Sequence, residues 1–332
     1  MNYYPLTTNT LTKNDKNLAI SVIKSGKITR GIYNKKVEDY FKNKFNRHAL
    51  LVNSGSSANL LAVALIVNKL GKYKFKQNDE VIIPTLCWST SLYPIIQMGL
   101  KPVFVDIDLR TLNIDITELE KKISNKTKAI LLVHALGNCT NMIKLKKIIK
   151  KRKIILIEDC CEALGTMYKN KYLGTFGKLS SFSFYFSHHI TSGEGGMLLC
   201  KDYDDYRILL SLRAHGWSRE IDELDKRKGN SFNKLFNFIN LGYNLRLTDI
   251  QASLLINQMK KIDKFSKIRS FNYDLILKKF SMSKILSKEL IYIKKSVNYH
   301  ISWFNFPIIL RSFKRKNRDL ICGDLNKLGI ET

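Results

Sequence analysis

Two adjacent histidines, His188 and His189, lie between an alternating segment, Ser181–Tyr185, and a stretch carrying Gly193, Gly195 and Gly196. Imidazole exchanges a proton near neutral pH, so a histidine at a strand end suits acid–base work. Glycines beside it let backbone come close to a ligand. A hydrogen-bonded structural histidine fits the same local pattern, and other polar residues must decide. Three further groups follow strand-like runs. Gly55-Ser56-Ser57 stands between an apolar run and a helical one; such N–H groups and hydroxyls bind phosphate, or they cap the helix. Asp159 directly follows Ile154–Glu158, with Glu162 three residues on. A carboxylate there either pairs with a protonated ring nitrogen or caps a helix. Trp88 follows Val81–Thr85 and either stacks on a flat ligand or belongs to the core.

The elements that must position these groups can be read from periodicity. Short apolar runs at Ala49–Asn53, Glu80–Pro84, Pro102–Asp106, Ala129–His134, Ile154–Glu158, Ser180–Tyr185 and Gly196–Cys200 predict strands. Helical patterns at 15–25, 34–46, Ala58–Leu70, Ser91–Gly99, Ile116–Ile123 and Met142–Lys151 alternate with them. Alternation of this kind predicts an α/β fold, a mainly parallel sheet covered on both faces. Ligands bind beyond the carboxyl ends of such strands, where the groups above lie. From Thr248 to Lys279 one long helix is expected to leave the main domain, and Ile301–Leu310 reads as a strand. We expect a large domain over 15–250 and a small α/β domain from 1–14 and 251–332. The Lys- and Asn-rich Asp222–Asn237 segment is expected to be a surface loop.

The chain has 332 residues, 45% of them hydrophobic, and a formal charge of +28. No apolar run approaches the roughly 18–20 residues that span a bilayer, and the first residues lack a basic-then-apolar signal pattern. We expect a cytoplasmic protein with no membrane partner. Its lysines are spread along the chain without a nucleic-acid-binding motif, so the charge points to a phosphate-bearing small ligand rather than to nucleic acid. Six cysteines form no C-x-x-C pair and are expected to be reduced thiols, with no metal site.

Taken together, a phosphate nest, a stacking aromatic, an acid for a pyridinium nitrogen and the SFSFY strand describe a pyridoxal phosphate site. The sequence resembles the sugar aminotransferases of the DegT/DnrJ/StrS family. The resemblance rests on NSGSSANLLA (53–62), VIIPTLCWST (81–90), IEDCCEALG (157–165), SFSFY (181–185), GEGGM (193–197), RAHGW (213–217) and GYNLRLTDIQA (242–252), in order along essentially the whole chain. It implies a fold-type I, aspartate aminotransferase-like architecture. By the same resemblance Ser56, Ser57 and Ser183 hold the cofactor phosphate, Trp88 stacks on the ring, Asp159 pairs with the pyridine nitrogen and Glu162 lies over the cofactor. Asn244 is the residue given to a neighbouring subunit's phosphate, which implies a homodimer with shared active sites.

In that family the motif after SFY carries the lysine that binds the cofactor covalently; here the position is His188. Imidazole cannot form the imine that a primary amine forms. A histidine there resembles the 3-dehydratase branch of deoxysugar biosynthesis, which uses the cofactor non-covalently as pyridoxamine phosphate and His188 as base. One kind of dehydratase reduces its product through an iron–sulfur cluster bound by a C-x-C pair, but no cysteine occurs between Cys200 and Cys322. We therefore expect no iron–sulfur cluster. The implied reaction removes the C3 hydroxyl of a nucleotide-linked 4-keto-6-deoxyhexose, GDP-4-keto-6-deoxymannose, with L-glutamate as amino donor, in O-antigen sugar synthesis. His215, Arg219 and Arg246 then resemble contacts to glutamate or sugar nucleotide, and Thr29, Arg30 and Gly31 contacts to the nucleotide. The family continues past the LGIET segment into an arginine-containing loop, so an incomplete small domain is expected.

Overall fold

The computed structural model describes residues 3–221, 236–293, 299–311 and 315–332. The surface loop expected at 222–237 lies, except for its last two residues, outside the described residues. Seven strands form the central sheet: β1 (His48–Val52), β2 (Glu80–Pro84), β3 (Lys101–Val105), β4 (Thr127–Val133), β5 (Ile155–Asp159), β6 (Leu179–Ser183) and β7 (Gly196–Cys200). Their order is β1-β7-β6-β5-β4-β2-β3. Neighbours from β3 through β6 pair in parallel, whereas β7 is antiparallel to both β6 and β1.

Side chains alternate across a strand, and here they feed two separate cores. Leu51, Ile82, Ile130 and Leu132 point to one face, where they meet Phe41, Phe45, Met142 and Leu255. Leu50, Val52, Ile83, Leu131 and Val133 point to the other, against Leu61, Leu65, Ile95 and Leu209. Both faces are thus dry away from the edge strand β3, which explains why most strands read as unbroken apolar runs. The helices of the first face include α2 (Ile32–Phe45), α5 (Ile116–Lys122), α6 (Met142–Arg152) and α8 (Asp249–Gln258). Those of the second are α3 (Gly55–Val67), α4 (Ser89–Gln97) and α7 (Tyr203–Arg213). Helix α1 (Lys13–Lys24) precedes them, with a capping box between Thr12 and Asp15.

Several expectations are corrected. The helix expected to run unbroken from Thr248 is split by a 3₁₀ turn at Met259–Lys261 before α9 (Ile262–Met282). There the Tyr40 hydroxyl donates to the Met259 carbonyl at 2.9 Å, the kind of insertion that bends a helix. The Gly55–Ser57 turn is already the first turn of α3. Strand β6 ends at Ser183, and Tyr185 and Phe186 are exposed. Ile301–Leu310 is strand only at Ile309–Leu310, which pairs with Leu290–Ile291. Its earlier carbonyls are taken by side chains, as described below, so no ladder forms. A third apolar cluster joins Leu112, Tyr273, Ile293, Ile301 and Trp303.

Candidate active site

Asp159 is the last residue of β5 and is buried. Its Oδ2 accepts from Asn59 Nδ2 and from Ser91 Oγ, each at 2.7 Å, and its Oδ1 accepts from the Cys161 N–H at 3.1 Å. Asn59 is itself aimed by the Ser181 hydroxyl, which donates to its Oδ1 at 2.6 Å. The donors come from α3, α4 and the turn after β5, with β6 acting through Asn59, so several elements converge on one carboxylate. No helix follows Asp159, so it is not a helix cap. Glu162 sits in the following turn, where its Oε2 accepts from the Leu136 N–H at 2.7 Å. Burial raises the Glu162 pKa, the Leu136 hydrogen bond opposes that rise, and the Asp159 charge adds to it.

At the start of α3 the N-cap is Ser54, whose Oγ accepts from the Ser57 N–H at 3.1 Å. The capping role is therefore filled, which leaves Ser56 exposed on the first turn. Gly55 is required here: a Cβ would lie 2.8 Å from Cys161 Sγ and from Ser183 Cβ. Ser183 is buried beside this turn and accepts from the Tyr185 N–H at 3.2 Å. Trp88 precedes α4 and is 75% exposed, which excludes the core reading.

The two histidines separate. His188 is half-buried, and its Nδ1 lies 2.7 Å from the Cys161 carbonyl oxygen. A carbonyl can only accept, so Nδ1 carries the proton of the neutral ring and Nε2 carries the lone pair. Burial lowers the His188 pKa; the Cys161 carbonyl and Asp159 oppose this and Arg269 reinforces it. The ring is thus a neutral base near pH 7. His189 is fully withdrawn, with Nε2 at 2.9 Å from the Ser302 carbonyl oxygen and a pKa pushed down to about 3, chiefly by burial. It is a structural residue.

A second group lines a cavity of about 580 Å³ that includes Thr29, Arg30, Arg219, Asn244 and Arg246. Arg246 donates from Nη2 to His215 Nε2 at 3.1 Å and to Asn244 Oδ1 at 3.2 Å. Arg219 stacks over Trp217 at 5.2 Å. Behind the rim, buried Arg213 donates to Glu38 at 2.7 Å and to the Leu51 carbonyl at 3.0 Å, and Arg30 bridges Glu220 at 2.9 Å. Gly31 lies at the start of α2. Its N–H, with those of Tyr33 and Asn34, donates to Asp249, so a carboxylate from α8 caps α2, where Gly31 offers no side chain.

Among the residues expected from sequence, the structure gathers Ser56, Ser57, Asp159, Glu162, Ser183 and His188 near the ends of β1, β5 and β6. It gathers Thr29, Arg30, Arg219, Asn244 and Arg246 along the rim of the cavity, with His215 attached through Arg246. Sequence reasoning missed Asn59, Ser91, Ser181 and the Cys161 carbonyl. The available signal was a polar Asn59 inside the otherwise apolar run Ala58–Val67 of α3. The donor set fits a phosphorylated pyridine: hydroxyls and a helix start for phosphate, a buried oriented carboxylate for a ring nitrogen, and an exposed indole for its face.

A parallel sheet with these groups at its strand ends defines a fold-type I, pyridoxal phosphate-type architecture. Residues 9–332 match the DegT/DnrJ/EryC1/StrS aminotransferase family, and the chain belongs to that family. It is 39% identical over 334 residues to the GDP-4-keto-6-deoxy-D-mannose 3-dehydratase of Escherichia coli O55:H7, covering 99% of this chain and 84% of that protein. It is 38% identical to the Yersinia pseudotuberculosis protein of the same name, with 99% and 83% covered. A solved structure of the E. coli enzyme with bound hydrated PLP superposes with TM-score 0.92 at 38% identity, covering 100% of this chain and 84% of the other. A solved structure of a GDP-4-keto-6-deoxymannose-3-dehydratase H188N mutant with bound GDP-perosamine gives 0.91 at 38%, with 99% and 85% covered.

Proposed function

We propose that this chain is a pyridoxal/pyridoxamine phosphate-dependent 3-dehydratase that removes the C3 hydroxyl of GDP-4-keto-6-deoxymannose. Glutamate is the amino donor, and the pathway makes a deoxysugar for surface polysaccharide. The carrying observation is His188. It stands where the family's lysine would be, and its Nδ1–H is spent on the Cys161 carbonyl, so Nε2 is free to take and return a proton. Pyridoxamine phosphate, when bound, supplies the amine that condenses with the 4-keto group and a ring that accepts electron density. Ser56, Ser57 and Ser183 would hold its phosphate, Trp88 would cover its ring and Asp159 would face the ring nitrogen. Glu162, held by the Leu136 N–H, stands beside them. The rim arginines suit the charged parts of glutamate and of the diphosphate, because guanidinium donates paired hydrogen bonds.

The reading includes a homodimer in which Asn244 completes the partner's phosphate site, and a cytoplasmic location. Among the described residues no helix is long and apolar enough to cross a membrane. It also includes a large part over 15–250 and a smaller one from 1–14 and 251–332. The cluster around Trp303 is drawn mostly from the smaller part, with Leu112 contributed by the larger, and α8 also joins the two, because Ala252 and Leu255 belong to the large core. The test is to incubate protein, cofactor, glutamate and GDP-4-keto-6-deoxymannose. Ammonia, 2-oxoglutarate and loss of the C3 hydroxyl are expected. A stable aminosugar would mean transamination, and cofactor binding without turnover would mean a silent relative.

A further inference from the structure

His188 is anchored at one end only by its hydrogen bond to Cys161, and one hydrogen bond leaves the ring free to turn about that axis. Two aromatic rings restrict it. Tyr185 stands edge-on with ring centroids 6.1 Å apart, and Phe304 lies closer, at 5.0 Å. The Tyr185 side chain is exposed, so Phe304 is the firmer wall. Phe304 lies in a stretch without ladder partners, and its position is set by other means. The Phe304 N–H donates to the Leu136 carbonyl at 3.0 Å. Arg269, on α9, donates from one nitrogen to the Trp303 carbonyl at 3.0 Å and to the Phe304 carbonyl at 2.8 Å. One helical turn further along α9, Tyr273 stacks on Trp303 at 3.7 Å. The Ser302 carbonyl is taken by His189 and its N–H by Thr166.

We infer that Arg269 is the positioning residue of the base: by clamping the 303–304 carbonyls it sets Phe304 against His188 and keeps Nε2 aimed into the site. This rests on the dehydratase reading for its kinetic consequence but not for its geometry. A guanidinium suits the task because it remains charged and donates several hydrogen bonds from a rigid plane. Among the described residues its hydrogen bonds go to these two carbonyls. Its charge also acts on the ring. The groups that face His188 are Asp159, which favours the imidazolium, and Arg269, which opposes it, with neutral His189 and the ring of Tyr185 alongside. Burial does most to keep the base in its proton-accepting form, and the positive charge of Arg269 adds to that.

The experiment compares the full chain with Arg269→Met, Arg269→Lys and Phe304→Leu, loaded with pyridoxamine phosphate. In Arg269→Met, kcat for dehydration should fall roughly 10- to 100-fold, the size of effect a small misplacement produces. KM for the sugar nucleotide should stay within about twofold, and the acid limb of the kcat profile should move to higher pH. Arg269→Lys, which keeps a cation and donors, should recover part of the loss. Phe304→Leu should lower kcat with little movement of the acid limb. Histidine ¹⁵N signals give a readout that needs no turnover: the neutral Nδ1–H form of His188 should dominate in wild type and lose ground in Arg269→Met and Phe304→Leu. Wild-type protein that fails to dehydrate while these signals shift would sink the dehydratase reading and leave the positioning role standing. Unchanged kcat, acid limb and ¹⁵N signals in Phe304→Leu and either folded Arg269 variant would overturn it.

Discussion

The strand-end cluster and the rim cavity both collect polar side chains, but they hold them in different ways. Asp159 accepts from three donors that the core itself supplies, and His188 is fixed to a backbone carbonyl. The rim groups Arg246, His215 and Asn244 are exposed or half-exposed and bond mainly to one another. A group set by the core is ready for charge that develops during reaction, and reorganises little. A rim of exposed cations is suited to capturing a charged ligand, and its bonds must be exchanged when that ligand arrives. The difference teaches that the two groups of side chains rest on separate foundations, one on the core and the other on one another.

The largest break in that comparison should come from His188→Lys. Loss of a positioned base costs about 10²- to 10⁴-fold in rate, measured as ammonia release, and the lysine should make the cofactor fixable to protein by borohydride. Dehydration at the wild-type rate would remove His188 from the base role. Arg246→Ala should act on capture instead. A hydrogen bond to a charged group is worth about 1.5–3 kcal/mol, so KM for glutamate or sugar nucleotide should rise roughly tenfold or more while kcat holds. A fall in kcat with constant KM would erase the distinction between the two regions.

Two smaller effects sharpen it through pH and stability. The His188 pKa lies below its ordinary 6.5, so the rate should fall only as pH drops beneath that value. His189 has a folded pKa of about 3 against an ordinary 6.5. Unfolded chain takes up this proton first, so the stability tied to His189 is complete above about 6.5 and is lost as pH falls toward 3. Denaturant titrations at pH 7 and pH 5 should show the decline, and His189→Gln should flatten it. Ser54→Ala removes the N-cap of α3 and should lower stability by about 1 kcal/mol, read from thermal melts, with a parallel weakening of cofactor phosphate binding.

Much of the strand-end cluster was legible from sequence because its residues directly follow apolar runs. Asp159 after Ile154–Glu158 and Trp88 after Val81–Thr85 are visible without coordinates, and so are the two cores once strand alternation is read. What holds those residues was not legible. Asn59 and Asp159 are 100 positions apart, and Cys161 acts through its carbonyl, which has no side-chain signature. The break at Met259 also depends on a partner, Tyr40, 219 residues away. Local pattern speaks for local structure, and these features are made by distant pairs.

The cap of α2 has a consequence for how the chain comes together. Three N–H groups at the start of this helix, together with the Asn34 side chain, depend on Asp249, which lies more than 200 residues later. During synthesis the helix therefore leaves the ribosome with an unfinished end. It gains its acceptor only after the sheet strands have emerged, and such distant closure is slow because chain entropy must be lost first. The same helix carries Glu38, the partner of Arg213. Arrival of residue 249 thus works as a late latch, joining the front of the chain to the back and setting the wall of the rim cavity.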